Sequence, residues 1–105
     1  LKTLVAEGVP LYDIRRPDEW KQTGIVKGSR LLTFIDKNRN PVANFLPRFS
    51  KEVNKDDPVI LICRSGNRSS VLSGHLMEKM GYTKVYNVKD GIKSWIGEKY
   101  PLVRQ

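Results

Sequence analysis

The sequence predicts an α/β fold with a central, mainly parallel sheet and helices on both of its faces. Three observations carry that expectation. The chain has 105 residues, which is the size of one domain spanning 1–105. Short apolar runs alternate with segments of helical periodicity, the pattern of strand–helix–strand units. Val59-Ile60-Leu61-Ile62-Cys63 is a continuous apolar run between turn residues, which suits a strand buried on both faces of a parallel sheet.

In chain order, residues 1–8 read as a short helix with Leu1, Leu4 and Val5 on one face and Gly8 as its stop. Val9 to Ile14 read as a strand, with Pro10 at its start, where a missing N–H is tolerated. Pro17 opens a helix, PDEWKQT, whose Asp18 and Glu19 suit the positive end of its dipole. Gly24 and Gly28 bracket a turn, and Ser29 to Ile35 read as a second strand. Asp36 to Pro41 is a loop. Residues 42–54 carry Val42, Phe45, Leu46, Phe49 and Val53 at helical spacing, and Pro47 inside that pattern predicts a kink or a division. After the apolar run, a polar segment leads into a helix from Ser69 to Met80, striped by Leu72, Leu76 and Met80 and ended by Gly81. Val85 to Val88 read as a last strand and Gly91 to Tyr100 as a last helix carrying Trp95. There are no internal repeats.

Composition narrows the chemistry. A single cysteine allows no internal disulfide and no thiolate zinc site, and neither metal nor cofactor is expected. No apolar run reaches the ~18–20 residues of a membrane span. The net charge of +8 favours anionic partners. The basic residues are scattered from Lys2 to Arg104, without an aromatic-rich motif, which argues against nucleic acid. Leu at position 1 predicts a trimmed chain or a removed leader, so a soluble protein of cytoplasm or periplasm is expected.

The informative stretch is Cys63-Arg64-Ser65-Gly66-Asn67-Arg68-Ser69, between the buried strand and a helix. Ligands of open α/β sheets bind at the carboxyl ends of strands, where this loop lies. A tight loop entering a helix turns several backbone N–H groups inward and makes an anion nest. Arg64 and Arg68 add positive charge, and that field favours the thiolate. A lone Cys closing an apolar strand is ordinarily a small buried hydrophobe. The arginines, the glycine and the following helix reverse that reading, because packing a core requires none of them. The chemistry indicated is a nucleophilic Cys63 that binds or carries an anionic group, with Arg64, Ser65, Gly66, Asn67, Arg68 and Ser69 as its substrate-binding loop. Asn67-Arg68-Ser69 also matches a glycosylation sequon, read here as a chance match inside the loop.

This loop resembles the active-site loop of rhodanese-like sulfurtransferases. Tyr12-Asp13-Ile14-Arg15 with Pro17-Asp18-Glu19-Trp20 resembles that family's Asp-x-Arg strand end and the helix after it. Gly24 to Ser29 sits where the family has Gly-His-Ile-Pro-Gly-Ala, and Gly81 to Trp95 resembles its terminal strand and Gly-Gly-x-x-x-Trp segment. The resemblance spans essentially the whole chain. It implies a rhodanese-like fold and a sulfurtransferase that moves a sulfane sulfur from a small anionic donor such as thiosulfate, through a persulfide on Cys63, to cyanide, a thiol or a protein acceptor. Loop backbone N–H groups would cradle the outer sulfur, and Asp13 would orient loop N–H groups or pair with Arg15 behind the site.

Two rivals stand beside that reading. A cysteine phosphatase or arsenate reductase would use the same thiolate, but phosphatases with this resemblance space Cys and Arg by five residues, and here the pattern is Cys-x4-Arg. A non-enzymatic interaction module would need neither the Cys nor an intact loop. The sequence departs from the family at Ile25 for His, Lys27 for Pro, Arg16 for an acidic residue, and Asp90 for the first glycine of the pair; Asp tolerates a left-handed backbone better than most residues. His75, mid-helix, reads as solvent-facing or packed. Trp20 and Trp95 read as packing, and Asp36 to Arg39 as a solvated loop or a basic rim at the pocket mouth.

Overall fold

A computed structural model of the chain describes residues 7–88, 90–97, 102 and 103. Its elements are β1 (Leu11–Asp13), α1 (Pro17–Thr23), β2 (Arg30–Leu31), α2 (Phe45–Glu52), β3 (Val59–Ile62), α3 (Asn67–Lys79), β4 (Val85–Asn87) and α4 (Gly91–Gly97). The four strands are all parallel, in the order β2-β1-β3-β4, with Tyr12 opposite Arg30, Leu11 opposite Ile60 and Val59 opposite Val85. The expected α/β class and parallel sheet are therefore observed.

Successive side chains of a strand point to opposite faces, and the two cores follow that alternation. On one face Tyr12, Val59, Leu61 and Cys63 pack against Phe45 and Phe49 of α2 and Leu72 and Leu76 of α3. On the other, Leu11, Ile60 and Ile62 pack against Val26 and against Ile92 and Trp95 of α4. All four residues of β3 are completely buried, which is why that strand reads as an unbroken apolar run.

The ends of the elements differ from expectation for local reasons. The anticipated strand 29–35 pairs as a strand only at Arg30–Leu31. It forms the sheet edge, where the chain still follows β1 through Leu32 N–H to the Asp13 carbonyl (3.2 Å) and Phe34 N–H to the Ile14 carbonyl (3.1 Å). Pro47 neither kinks nor divides α2. The helix begins at Phe45, so Pro47 falls in the first turn, where the missing N–H has no intrahelical partner to lose. The helix expected from Ser69 starts two residues earlier, at Asn67, and shortens the free loop to Cys63–Gly66. The helix expected over residues 1–8 lies outside the described residues except for the turn at Glu7 and Gly8, and α4 is described only to Gly97 of the expected Tyr100. Among the described residues no helix is long and apolar enough to cross a membrane.

From β1 the sheet grows to β2 on one side and to β3 and β4 on the other. Chains leaving the carboxyl ends of β1 and β3 diverge there and open a crevice. Arg16, at the corner after β1, and the Cys63 loop face that crevice.

Candidate active site around Cys63

Cys63 directly follows β3 and is 1% exposed. Its Sγ accepts the Gly66 N–H at 3.1 Å and the Ser69 N–H at 3.5 Å, and the Ser69 hydroxyl lies 3.4 Å away. This convergence requires a reversal of the chain directly after the strand. Gly66 makes it with a left-handed φ of +95°, a conformation that costs other L-residues energy. The loop is also gripped from outside. Ile92 N–H donates to the Cys63 carbonyl (2.7 Å) and Lys93 N–H to the Arg64 carbonyl (3.1 Å). A Cβ on Gly91 would lie 2.6 Å from the Arg64 carbonyl oxygen, so that position admits no side chain while the loop stays in place. Asp90 stands where the sequence analysis noted a missing glycine, and its φ is +64°.

Above the loop lies a cavity of about 490 Å³, lined by Arg64, Ser65, Asn67 and Arg68 of the loop and helix start, by Arg16 and Glu19, and by Ile35, Asp36 and Arg39. Arg64 is exposed at its wall and makes no ion pair or side-chain hydrogen bond among the described residues. Arg39 reaches the mouth from the 36–41 loop, in a left-handed turn held by Asp36 Oδ1, which accepts the N–H groups of Asn38 (2.9 Å) and Asn40 (3.0 Å). Asp36 and Arg39 thus line the cavity from a segment whose sequence reads first as a solvated loop, with a basic rim as the alternative.

Arg68, read from the sequence as a cation of the substrate-binding loop, is engaged by a carboxylate of the chain itself. Its guanidinium binds Glu19 side-on, Nη1 to Oε1 at 2.8 Å and Nη2 to Oε2 at 2.9 Å. Glu19 also accepts the Arg16 N–H at 3.1 Å, closing the start of α1. Burial pushes the Glu19 carboxyl up, but the hydrogen bonds from Arg68 and Arg16 and their charges outweigh it and hold it below the ordinary range. Its hydrogen bonds to Glu19 hold Arg68 above its usual value despite its burial, with further support from the charges of Glu19, Cys63 and Asp13. Glu19 thus fastens α1 to the start of α3 beside the cysteine loop.

Asp13 and Arg15 do not line the cavity; they form a buried block behind it. Asp13 pairs with Arg15 at 2.8 Å, and it accepts the Arg15 N–H rather than an N–H of the cysteine loop. The remaining Arg15 donors reach Thr23 Oγ1 (2.8 Å), the Gly24 carbonyl (3.0 Å) and the Glu19 carbonyl (3.4 Å). His75 is exposed on α3 and does not line the cavity, and Trp20 and Trp95 are buried.

Two residues at the site escaped the sequence analysis. Glu19 reads in the sequence as a helix-start carboxylate and as part of the helix that resembles the family's, not as a site residue; its further signal is an acid at the third helical position with an arginine at the N-cap. Asn87, at the end of β4, contacts the Ser69 hydroxyl through a short hydrogen bond, and nothing in its local sequence marks it.

The rhodanese-like domain family matches residues 1–98. A sulfurtransferase of Allochromatium vinosum is 34% identical over 97 residues, covering 92% of this chain and 80% of that protein. A thiosulfate sulfurtransferase of Tolumonas auensis is 29% identical over 87 residues, covering 83% and 72%. The crystal structure of a rhodanese-related protein from Thermoplasma volcanium covers 100% of this chain and 92% of its own, with a TM-score of 0.74 and 25% identity. A match of nearly the whole chain, to the family, to its relatives and to the fold, makes this protein a member of the rhodanese-like domain family.

Proposed function

We propose that this chain is a sulfurtransferase that carries sulfane sulfur as a persulfide on Cys63. The observation that supports it most is the convergence of two backbone N–H groups and one hydroxyl on a buried Sγ, in a loop whose Arg64, Ser65, Asn67 and Arg68 line a cationic cavity. Such donors stabilise a sulfur anion and cost little reorganisation, because the loop is already held. The Cys63 thiolate attacks the outer sulfur of thiosulfate. A new S–S bond forms, the donor's S–S bond breaks, and sulfite leaves with that electron pair. Cyanide or an acceptor thiolate then attacks the outer persulfide sulfur and returns Cys63 as thiolate. Gly66, Ser65, Asn67 and Ser69 shape the nest, Arg64 draws the anionic donor in, and Arg68 holds the rim through Glu19. Asp13 and Arg15 support the floor from behind. A small anion is the donor in this reading, and a protein segment is compatible as acceptor. Sulfurtransferase names among the relatives agree with it.

Intact mass after thiosulfate and then after cyanide tests the proposal. A gain of one sulfur, lost on cyanide treatment and missing in Cys63→Ser, is the expected result. No gain, with hydrolysis of an aryl phosphate instead, would move the chain to the phosphatase reading. Neither activity would leave an interaction module.

A further inference from the structure

Ser69 Oγ has three neighbours that can each accept its proton. They are Cys63 Sγ at 3.4 Å, the Gly66 carbonyl at 3.2 Å and the Asn87 side-chain oxygen in a short contact. A hydroxyl has one proton, so it can serve only one of them at a time. Asn87 presents either an acceptor or a donor to that hydroxyl, because its amide oxygen and nitrogen exchange places on a half-turn of the side chain. With the oxygen facing Ser69, as in the structure, the proton is drawn away from sulfur. With the nitrogen facing it, Asn87 donates and the Ser69 proton is free for Sγ. The backbone at Asn87 is fixed in the sheet. It lies on β4 opposite Leu61, two residues before Cys63 on β3, and Val88 N–H donates to the Leu61 carbonyl at 3.0 Å.

We infer that Asn87 is a positioning residue that directs the Ser69 hydroxyl onto the Cys63 sulfur whenever that sulfur carries negative charge. The inference gives catalytic meaning to Asn87 through the persulfide reading above, yet its geometry stands without any sulfur donor. Among the described residues, the charged groups on the elements around Cys63 include Arg64 on its own loop, Arg68 of α3, Asp13 and Arg15 of β1 and its end, Glu19 of α1, Asp90 just before α4 and Lys93 within it. Asn87 carries no charge, so its replacement leaves all of these in place.

The test is a double-mutant cycle read by iodoacetamide alkylation across pH, without any sulfur donor. Ser69→Ala and Asn87→Ala should each slow alkylation about tenfold at pH values where the wild-type thiol is partly ionised. That corresponds to a rise of about one unit in the alkylation midpoint, the effect of one hydrogen bond to an anion. The double variant should match Ser69→Ala, because Asn87 acts only through that hydroxyl. Asn87→Val, which suits a strand, should repeat the Ala result if Asn87→Ala destabilises β4. An unchanged profile in both Asn87 variants, or a double variant equal to the sum of the singles, would overturn the inference. A persulfide that never forms in the wild type while the cycle holds would sink the proposed function alone. A persulfide that forms while the cycle fails would sink only the role of Asn87.

Discussion

Two chain ends leave the same edge of the sheet and do opposite things. After β1, Arg15 is completely buried and all its donors are satisfied by Asp13, Thr23 and two carbonyls. After β3, the Cys63 loop turns the Gly66 and Ser69 N–H groups toward a buried sulfur, and Arg64, without an ion pair among the described residues, stands at the wall of the cavity. Both corners hold arginine and buried polar groups, so residue type does not separate them. What separates them is whether the protein itself supplies the acceptors. The β1 corner is closed by its own carboxylate and serves as a support. The β3 corner leaves Arg64 without a carboxylate partner among the described residues. Arg68 lies between the two, with its guanidinium engaged by Glu19 at the cavity rim.

The strongest way to break the contrast is Cys63→Ser. Sulfur transfer should fall to background, because an alkoxide is not accessible at neutral pH, while the melting temperature stays near that of the wild type. Thiosulfate:cyanide turnover and a thermal melt check both halves. Arg15→Met should do the reverse. It strands the buried Asp13 carboxylate, which costs about 3–5 kcal/mol, and activity is lost only as the fold is lost. Urea unfolding followed by circular dichroism reads it.

Glu19→Gln probes the rim between the two corners. It should cost about 1–2 kcal/mol, between an exposed pair and a buried one. Folding lowers the Glu19 carboxyl, so its contribution is complete above the ordinary value of 4.5 and is lost as pH falls below it. The wild type should therefore lose stability relative to Glu19→Gln on acidification below that pH, in melts at matched ionic strength.

Arg64→Ala should have the smallest effect. The KM for thiosulfate should rise about two- to fivefold with kcat nearly unchanged, as for an exposed charge attracting ground and transition states alike. The rise should shrink at high salt. A collapse of kcat instead would place Arg64 against the reacting atoms.

Much of this molecule is local in the chain, and those parts were legible without coordinates. The unbroken run Val59–Cys63 reports burial on both faces of a strand, and the cysteine, glycine and following helix lie within a few residues of one another. Asp13 and Arg15, two residues apart, fall in the same category. Element ends were less legible, because a proline has opposite meanings in the first turn of a helix and in its interior, and only the start at Phe45 decides which applies to Pro47. Tertiary structure alone decided the contacts between distant segments. Glu19 meets Arg68 across 49 residues, and Asn87 meets Ser69 across 18. Periodicity and composition report which face of an element is apolar. They carry no record of which polar side chain on one element stands opposite which on another. That is set when the sheet order β2-β1-β3-β4 brings α1, the cysteine loop and the end of β4 to one edge. It is why a positive charge read from the sequence as part of the substrate-binding loop is engaged by a carboxylate in the folded chain.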